Sequence, residues 1–176
     1  METPQNSNKN LILTYGILLG FLSVAFAVVL YVMEMHVDGG WFNFVISVAL
    51  SVGVLVLAFN HFKKDNGGFM GLSDALKIGL GIALIAGIIA VIYQFILTQY
   101  IDPDFMQKML EVQQQKMVEN NPELTQEQLD MATSMAEKFS SPWITSSITL
   151  ITSLFFGFIY ALLVGVFMKN PRPENL

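Results

Sequence analysis

Four long apolar runs, broken once by a long polar stretch, set the layout of this chain. Residues 11–33, 41–60, 77–101 and 143–168 are free of Asp, Glu, Lys, Arg and His apart from Lys77 at the very start of the third run. About 20 apolar residues cross the roughly 30 Å hydrocarbon layer as a helix, so each run predicts a transmembrane span. Ala25-Phe26-Ala27 resembles a signal-peptide cleavage site, but the apolar run continues through Val28, Val29, Leu30 and Val32. A retained first span is therefore expected. Gly39-Gly40 and Asp65-Asn66-Gly67-Gly68 supply the backbone freedom that chain reversals need, and Ser73 is placed to cap the third helix. Ser141-Pro142 reads as a cap followed by proline in the first turn of the fourth.

Small residues recur every fourth position in two of the spans. Thr149, Ser153, Gly157, Ala161 and Gly165 form one ladder, and Gly79, Ala83 and Gly87 form another. Lipid tails are as apolar as leucine, so helices in a bilayer associate by close packing, and small side chains let backbones approach. These positions are the candidate helix-packing residues.

The polar stretch, residues 102–142, follows helical periods of its own. Met106, Met109, Leu110, Gln113 and Met117 fall at i, i+3, i+4, i+7 and i+11, an amphipathic helix that Asn121-Pro122-Glu123 ends. Thr125 and Gln128 then form a capping box, with Leu124 and Leu129 as a hydrophobic staple. Leu129, Ala132, Met135, Ala136 and Phe139 continue as one apolar stripe. Together Met106, Met109, Met117, Leu129, Met135 and Phe139 form a candidate partner face, since thioethers suit adaptable apolar contact. The plainer reading is that they pack the two helices on each other and on the membrane. Met spacing of this kind also suits soft-metal binding, and it is the rarer use of the same pattern.

Charge decides the threading. One side of the four spans carries Lys9, Lys63, Lys64, Lys77, Lys169 and Arg172, and the other only Lys108, Lys116 and Lys138. The positive-inside rule then puts both termini in the cytoplasm and residues 102–142 outside. Trp41, Trp143, Tyr31 and Tyr100 belong to one outer aromatic belt under this threading. The expected fold is all-α: one integral membrane domain over residues 1–176, a four-helix transmembrane bundle with an extracytoplasmic amphipathic helical pair between helices 3 and 4.

Composition agrees with this and narrows the chemistry. The chain is 53% hydrophobic and 13% charged, against about 25% charged in soluble domains. A net charge of -5 argues against nucleic acid as a partner, which needs clustered cations. The absence of cysteine excludes disulfides, thiolate nucleophiles and thiolate metal sites. Ion-coupled pumps usually place ionisable groups inside the membrane, and apart from Lys77 at the edge of the third these spans hold no Asp, Glu, Lys, Arg or His. Asn43, Ser47, Ser51, Gln94, Thr98 and Gln99 leave a polar path open, although interhelical hydrogen bonds are the simpler reading. Glu34, His36 and Asp38 resemble a ligand trio, but on a helix His36 points away from the other two. His61 beside Lys63 and Lys64 reads as interfacial.

The run Phe69-Met70-Gly71-Leu72-Ser73-Asp74-Ala75-Leu76-Lys77-Ile78-Gly79, then Tyr93, then Tyr100-Ile101-Asp102-Pro103-Asp104-Phe105, resembles a family of bacterial integral membrane proteins, domain of unknown function 4199. Gly157 to Val166 and Met168-Lys169-Asn170-Pro171 are similar as well. The resemblance implies a bacterial inner membrane and brings no activity, cofactor or catalytic residue. The expected role is non-enzymatic and cofactor-free: a structural or accessory component that meets lipids, and an envelope protein or a second copy of itself. The alternative is a small transporter, or a transporter subunit, for a neutral or lipidic solute.

Overall fold

The computed structural model describes residues 4–33, 35 and 40–172. Glu34, His36, Asp38 and Gly39 lie outside them. The described chain is all-α: α1 Pro4–Val32, α2 Trp41–Asp65, α3 Leu72–Ile96, α4 Phe105–Asn120, α5 Gln126–Phe139 and α6 Pro142–Met168, with a π-helical turn Leu97–Ile101 after α3. Four stretches are long and apolar enough to cross a membrane: Asn8–Val32, Trp41–Asp65, Leu72–Ile101 and Pro142–Met168. The chain divides into two compact units, Met1–Ala90 with Leu150–Leu176, and Val91–Thr149.

Helix ends differ from the hydropathic limits because solvent polarity and backbone hydrogen bonding stop at different places. α2 runs past Asn60 to Asp65, with Lys63 and Lys64 in its last turn, where cations favour the helix dipole. It ends where the Gly68 N–H donates to the Lys63 carbonyl at 2.6 Å, a Schellman-type closure. Gly67 and Gly68 have φ of 65° and 89°, a conformation that costs side-chain-bearing residues dearly. α3 begins at Leu72, five residues before the apolar run, and this displaces the expected cap. Ser73 already lies inside the first turn. Asp74 does the capping instead, its carboxylate accepting from the Gly71 N–H at 3.0 Å.

In the first unit the small-residue ladders of α3 and α6 lie face to face. A Cβ on Gly79 would collide with the Ala161 methyl, and one on Gly157 with the Ala83 methyl. One on Gly165 would fall 2.8 Å from the Ala75 Cβ, and one on Gly87 2.9 Å from the Ser153 Oγ. Each step of four along α3 thus meets a step of four backwards along α6, which makes the pair antiparallel. The Ser153 hydroxyl crosses the seam to the Ala83 carbonyl at 2.8 Å. α1 packs on α3 in the parallel sense: Gly16 and Gly20 admit Ile85 and Ile89, and Gly81 admits Ile12. Alternating directions are what successive membrane crossings require. Phe59, Ile82 and Met70 are the unit's largest fully buried side chains among the described residues, with no more than 2% exposure.

The outer surface of the same helices is apolar too. Phe21, Phe44, Ile151 and Phe167 are 59 to 88% exposed. A soluble monomer rarely exposes contiguous apolar patches beyond a few hundred Å², so these faces are built for a hydrocarbon solvent. Hydroxyls in the spans avoid that solvent by bonding their own backbone. Ser47, Ser51 and Ser147 each donate to the carbonyl four residues earlier, at 2.9 Å.

Candidate functional site

The second unit holds the polar stretch, and its construction begins at a buried carboxylate. Pro103 biases Asp102 away from helical backbone angles, and the π turn closes with the Asp102 N–H on the Leu97 carbonyl at 2.8 Å. Asp102 is the one buried charged side chain among the described residues. Lys108, in the first turn of α4, places its Nζ 2.9 Å from both Asp102 oxygens. The pair fixes α4 to the end of the π turn.

α4 and α5 then meet along a narrow seam of Leu110, Gln113, Gln114, Met117, Ala132, Thr133 and Ala136. The Gln114 amide donates to the Thr133 Oγ1 at 2.7 Å, and that hydroxyl donates to the Leu129 carbonyl at 2.8 Å. α5 starts with both halves of the capping box in place, Thr125 Oγ1 accepting from the Gln128 N–H and Gln128 Oε1 from the Thr125 N–H. Ser141 Oγ accepts from the Ile144 N–H at 3.4 Å to open α6 behind Pro142. No residue of α4 or α5 is fully buried. The pair is held by caps and polar contacts as much as by apolar burial.

Beside the seam lies an open cleft of about 460 Å³. Phe105, Met106, Met109, Leu110, Ala136 and Phe139 give it apolar walls, and Gln94, Gln113 and Ser140 give it uncharged polar groups. Gln94 comes from α3, and its Oε1 is already engaged by the Thr149 hydroxyl at 3.1 Å. Aromatic and thioether walls with a few neutral polar groups suit a neutral, mostly apolar guest. Around the cleft, residues 102–142 carry eight acidic side chains against three lysines, a sum equal to the net charge of the entire chain.

The candidate partner face therefore splits three ways. Met106, Met109 and Phe139 line the cleft. Met117 is in the seam, and Leu129 borders a more polar depression with Glu111, Gln115 and Glu119. Met135 turns away and is 54% exposed. Of the ladders, Gly79, Ala83 and Gly87 meet Ala161, Gly157 and Ser153 within the chain, so that face is filled and closed to a second copy. Thr149, the first rung, bonds Gln94.

A second polar constellation gathers in the first unit. The Tyr15 hydroxyl lies 3.2 Å from His61 Nδ1, and His61 Nε2 lies 3.5 Å from Asp65, which ties α1 to the end of α2. Lys63 Nζ donates to the last α6 carbonyl, Met168, at 3.2 Å. Met70 and Asn170 exchange two backbone hydrogen bonds of 2.9 Å, and Arg172 stacks over Phe69 at 5.5 Å. These contacts join the two segments that carry much of the sequence resemblance.

Residues 14–170 match the family model described as Protein of unknown function (DUF4199). The chain belongs to this family. No curated protein and no solved structure matches it. The DUF4199 match runs from within α1 to Asn170, so it takes in most of the first span, the other three spans, the cleft and the Met70–Asn170 tie. Among the described residues of this DUF4199 chain, no three His, Asp or Glu side chains are grouped to hold a metal ion. Sequence reading missed the Asp102–Lys108 pair, the Gln94–Thr149 bond and the Tyr15–His61 contact. Only the first had a local signal, an Asp-Pro-Asp run ahead of an amphipathic helix with lysine one turn further on.

Proposed function

We propose that this DUF4199 chain is a non-enzymatic accessory protein of a bacterial inner membrane. In this reading both termini are cytoplasmic and the α4–α5 pair docks an envelope protein on the other side. The observation that carries it is the uncharged, Phe- and Met-lined cleft set in strongly acidic surroundings. A complementary partner is an amphipathic helix with apolar anchors and basic flanks, the helix-in-groove mode of recognition. Charge complementarity would steer its approach, and methionine walls adapt to the anchors. The threading draws support from Lys63, Lys64, Lys77, Lys169 and Arg172. Lys63 reaches the Met168 carbonyl and Arg172 stacks over Phe69, both next to the Met70–Asn170 tie.

The transporter reading rests on Gln94, which borders the cleft, and on Asn43, Ser47, Ser51, Thr98 and Gln99. Most of these side chains bond backbone carbonyls, and Gln94 serves Thr149. Their polarity is spent on the fold, which favours docking over passage.

Photocrosslinking from position 109 of the full chain in native membranes tests the proposal. A discrete protein adduct that weakens as salt rises and disappears on Met106→Glu supports it. Adducts to lipid alone, or reconstituted solute flux abolished by Gln94→Leu, contradict it.

A further inference from the structure

α5 has more apolar surface than its seam with α4 uses. Ala132, Thr133 and Ala136 face α4, while Met131, Met135 and Phe139, spaced by four, are 60, 54 and 53% exposed. Asp130 and Glu137 occupy the opposite side of the helix, and Glu127, four residues before Met131, stands at the head of the stripe's own row. The exposed stripe leads directly into a membrane span: only Ser140 and Ser141 separate Phe139 from Pro142, the first residue of α6. Three residue steps reach at most about 11 Å. Trp143, 86% exposed at the start of that span, has the side chain that collects at headgroup level. The exposed apolar surface then continues into the span through Ile144 and Ile148.

We infer that α5 is an interfacial helix, with Met131, Met135 and Phe139 resting in the headgroup–acyl boundary of the leaflet surface from which α6 departs. This contact is centred on Met131 and Met135, which do not line the cleft, while Phe139 stands at the boundary and borders the cleft as well. It commits the occupant to lipid because the stripe is continuous with a span surface already built for lipid. Its lipid preference follows from charge. Most interfacial helices carry Lys and Arg on the polar face, but α5 carries Glu127, Asp130 and Glu137 against Lys138. Anionic headgroups therefore repel the polar edge, and the contact favours a zwitterionic surface. Added anionic lipid loosens it at low salt, and screening restores it.

The chain has no cysteine, so single labels are straightforward. Full-length Met135→Cys and Asp130→Cys, each carrying an environment-sensitive fluorophore, are placed one chain per nanodisc of phosphatidylcholine. The label at 135 is expected to shift to the blue, lose quenching by aqueous iodide and gain quenching by a lipid-borne quencher. The label at 130 is expected to stay iodide-accessible. Met131→Cys repeats the reading one turn earlier, so a folding fault at one site does not decide the outcome. Equal iodide access at 130, 131 and 135 overturns the inference. Shielding that appears only with two chains per disc also overturns it and assigns the stripe to self-association.

Discussion

The two compact units of this chain are held together by different physics. In the first, α3 and α6 touch backbone to backbone, and glycines at 79 and 157 leave no room for even one added methyl group. In the second, α4 and α5 bury no residue completely, and a capping box, a Gln–Thr bond and a partly exposed ion pair carry much of the load. Where lipid is the solvent, burial of apolar groups yields little, so stability comes from fit. Where water is the solvent, a short helical pair depends on caps and polar contacts. One unit is tightly fitted, and the other keeps apolar side chains such as Met131 and Met135 exposed.

The largest effect should come from spoiling the fit. Gly157→Leu forces α6 off Ala83 and is expected to cost about 3 kcal/mol in detergent unfolding, as overpacked cores do. Next is the ion pair. Lys108→Met removes the ammonium that pairs with the buried Asp102 carboxylate and should cost about 1–2 kcal/mol, discounted because Lys108 itself is half exposed. Its signature is faster proteolysis within α4, with unfolding of the bundle unchanged. Thr125→Ala removes one half of the capping box and should cost about 1 kcal/mol, seen as faster amide exchange in the first turn of α5. The smallest effect has the opposite sign. Gly53 has nothing within 4 Å of a built Cβ, so Gly53→Ala should stabilise α2 by up to about 1 kcal/mol. If Gly53→Ala and Gly157→Leu cost the same, the contrast between fitted and open helix faces is wrong.

Local patterns were the readable part of the sequence. The capping box at Thr125–Gln128 and the Ser141–Pro142 start depend on residues within one turn, and each is present. Four apolar lengths were enough for four spans and an all-α chain. Hydropathy marks where lipid ends rather than where the helix ends, so α2 ran on to Asp65 and α3 began at Leu72. That early start also moved the cap from Ser73 to Asp74. Period four in α6 pointed to a packing face, but its partner depends on a register set between helices about 80 residues apart. Nothing near Gln94 or Thr149 in sequence points to their bond. The same holds for the split of the methionines between cleft, seam and surface, which depends on how α5 rolls against α4.

The proposed threading puts residues 102–142 on the opposite side of a membrane from both termini. Single-cysteine variants of the full chain, expressed in a bacterial inner membrane, test it with a membrane-impermeant maleimide. The predicted result is labelling of Ser134→Cys in cells whose outer membrane alone has been opened, and of Lys64→Cys only after the inner membrane is lysed. Labelling of Lys64→Cys with Ser134→Cys protected, or of both alike in sealed inner membranes, would contradict it.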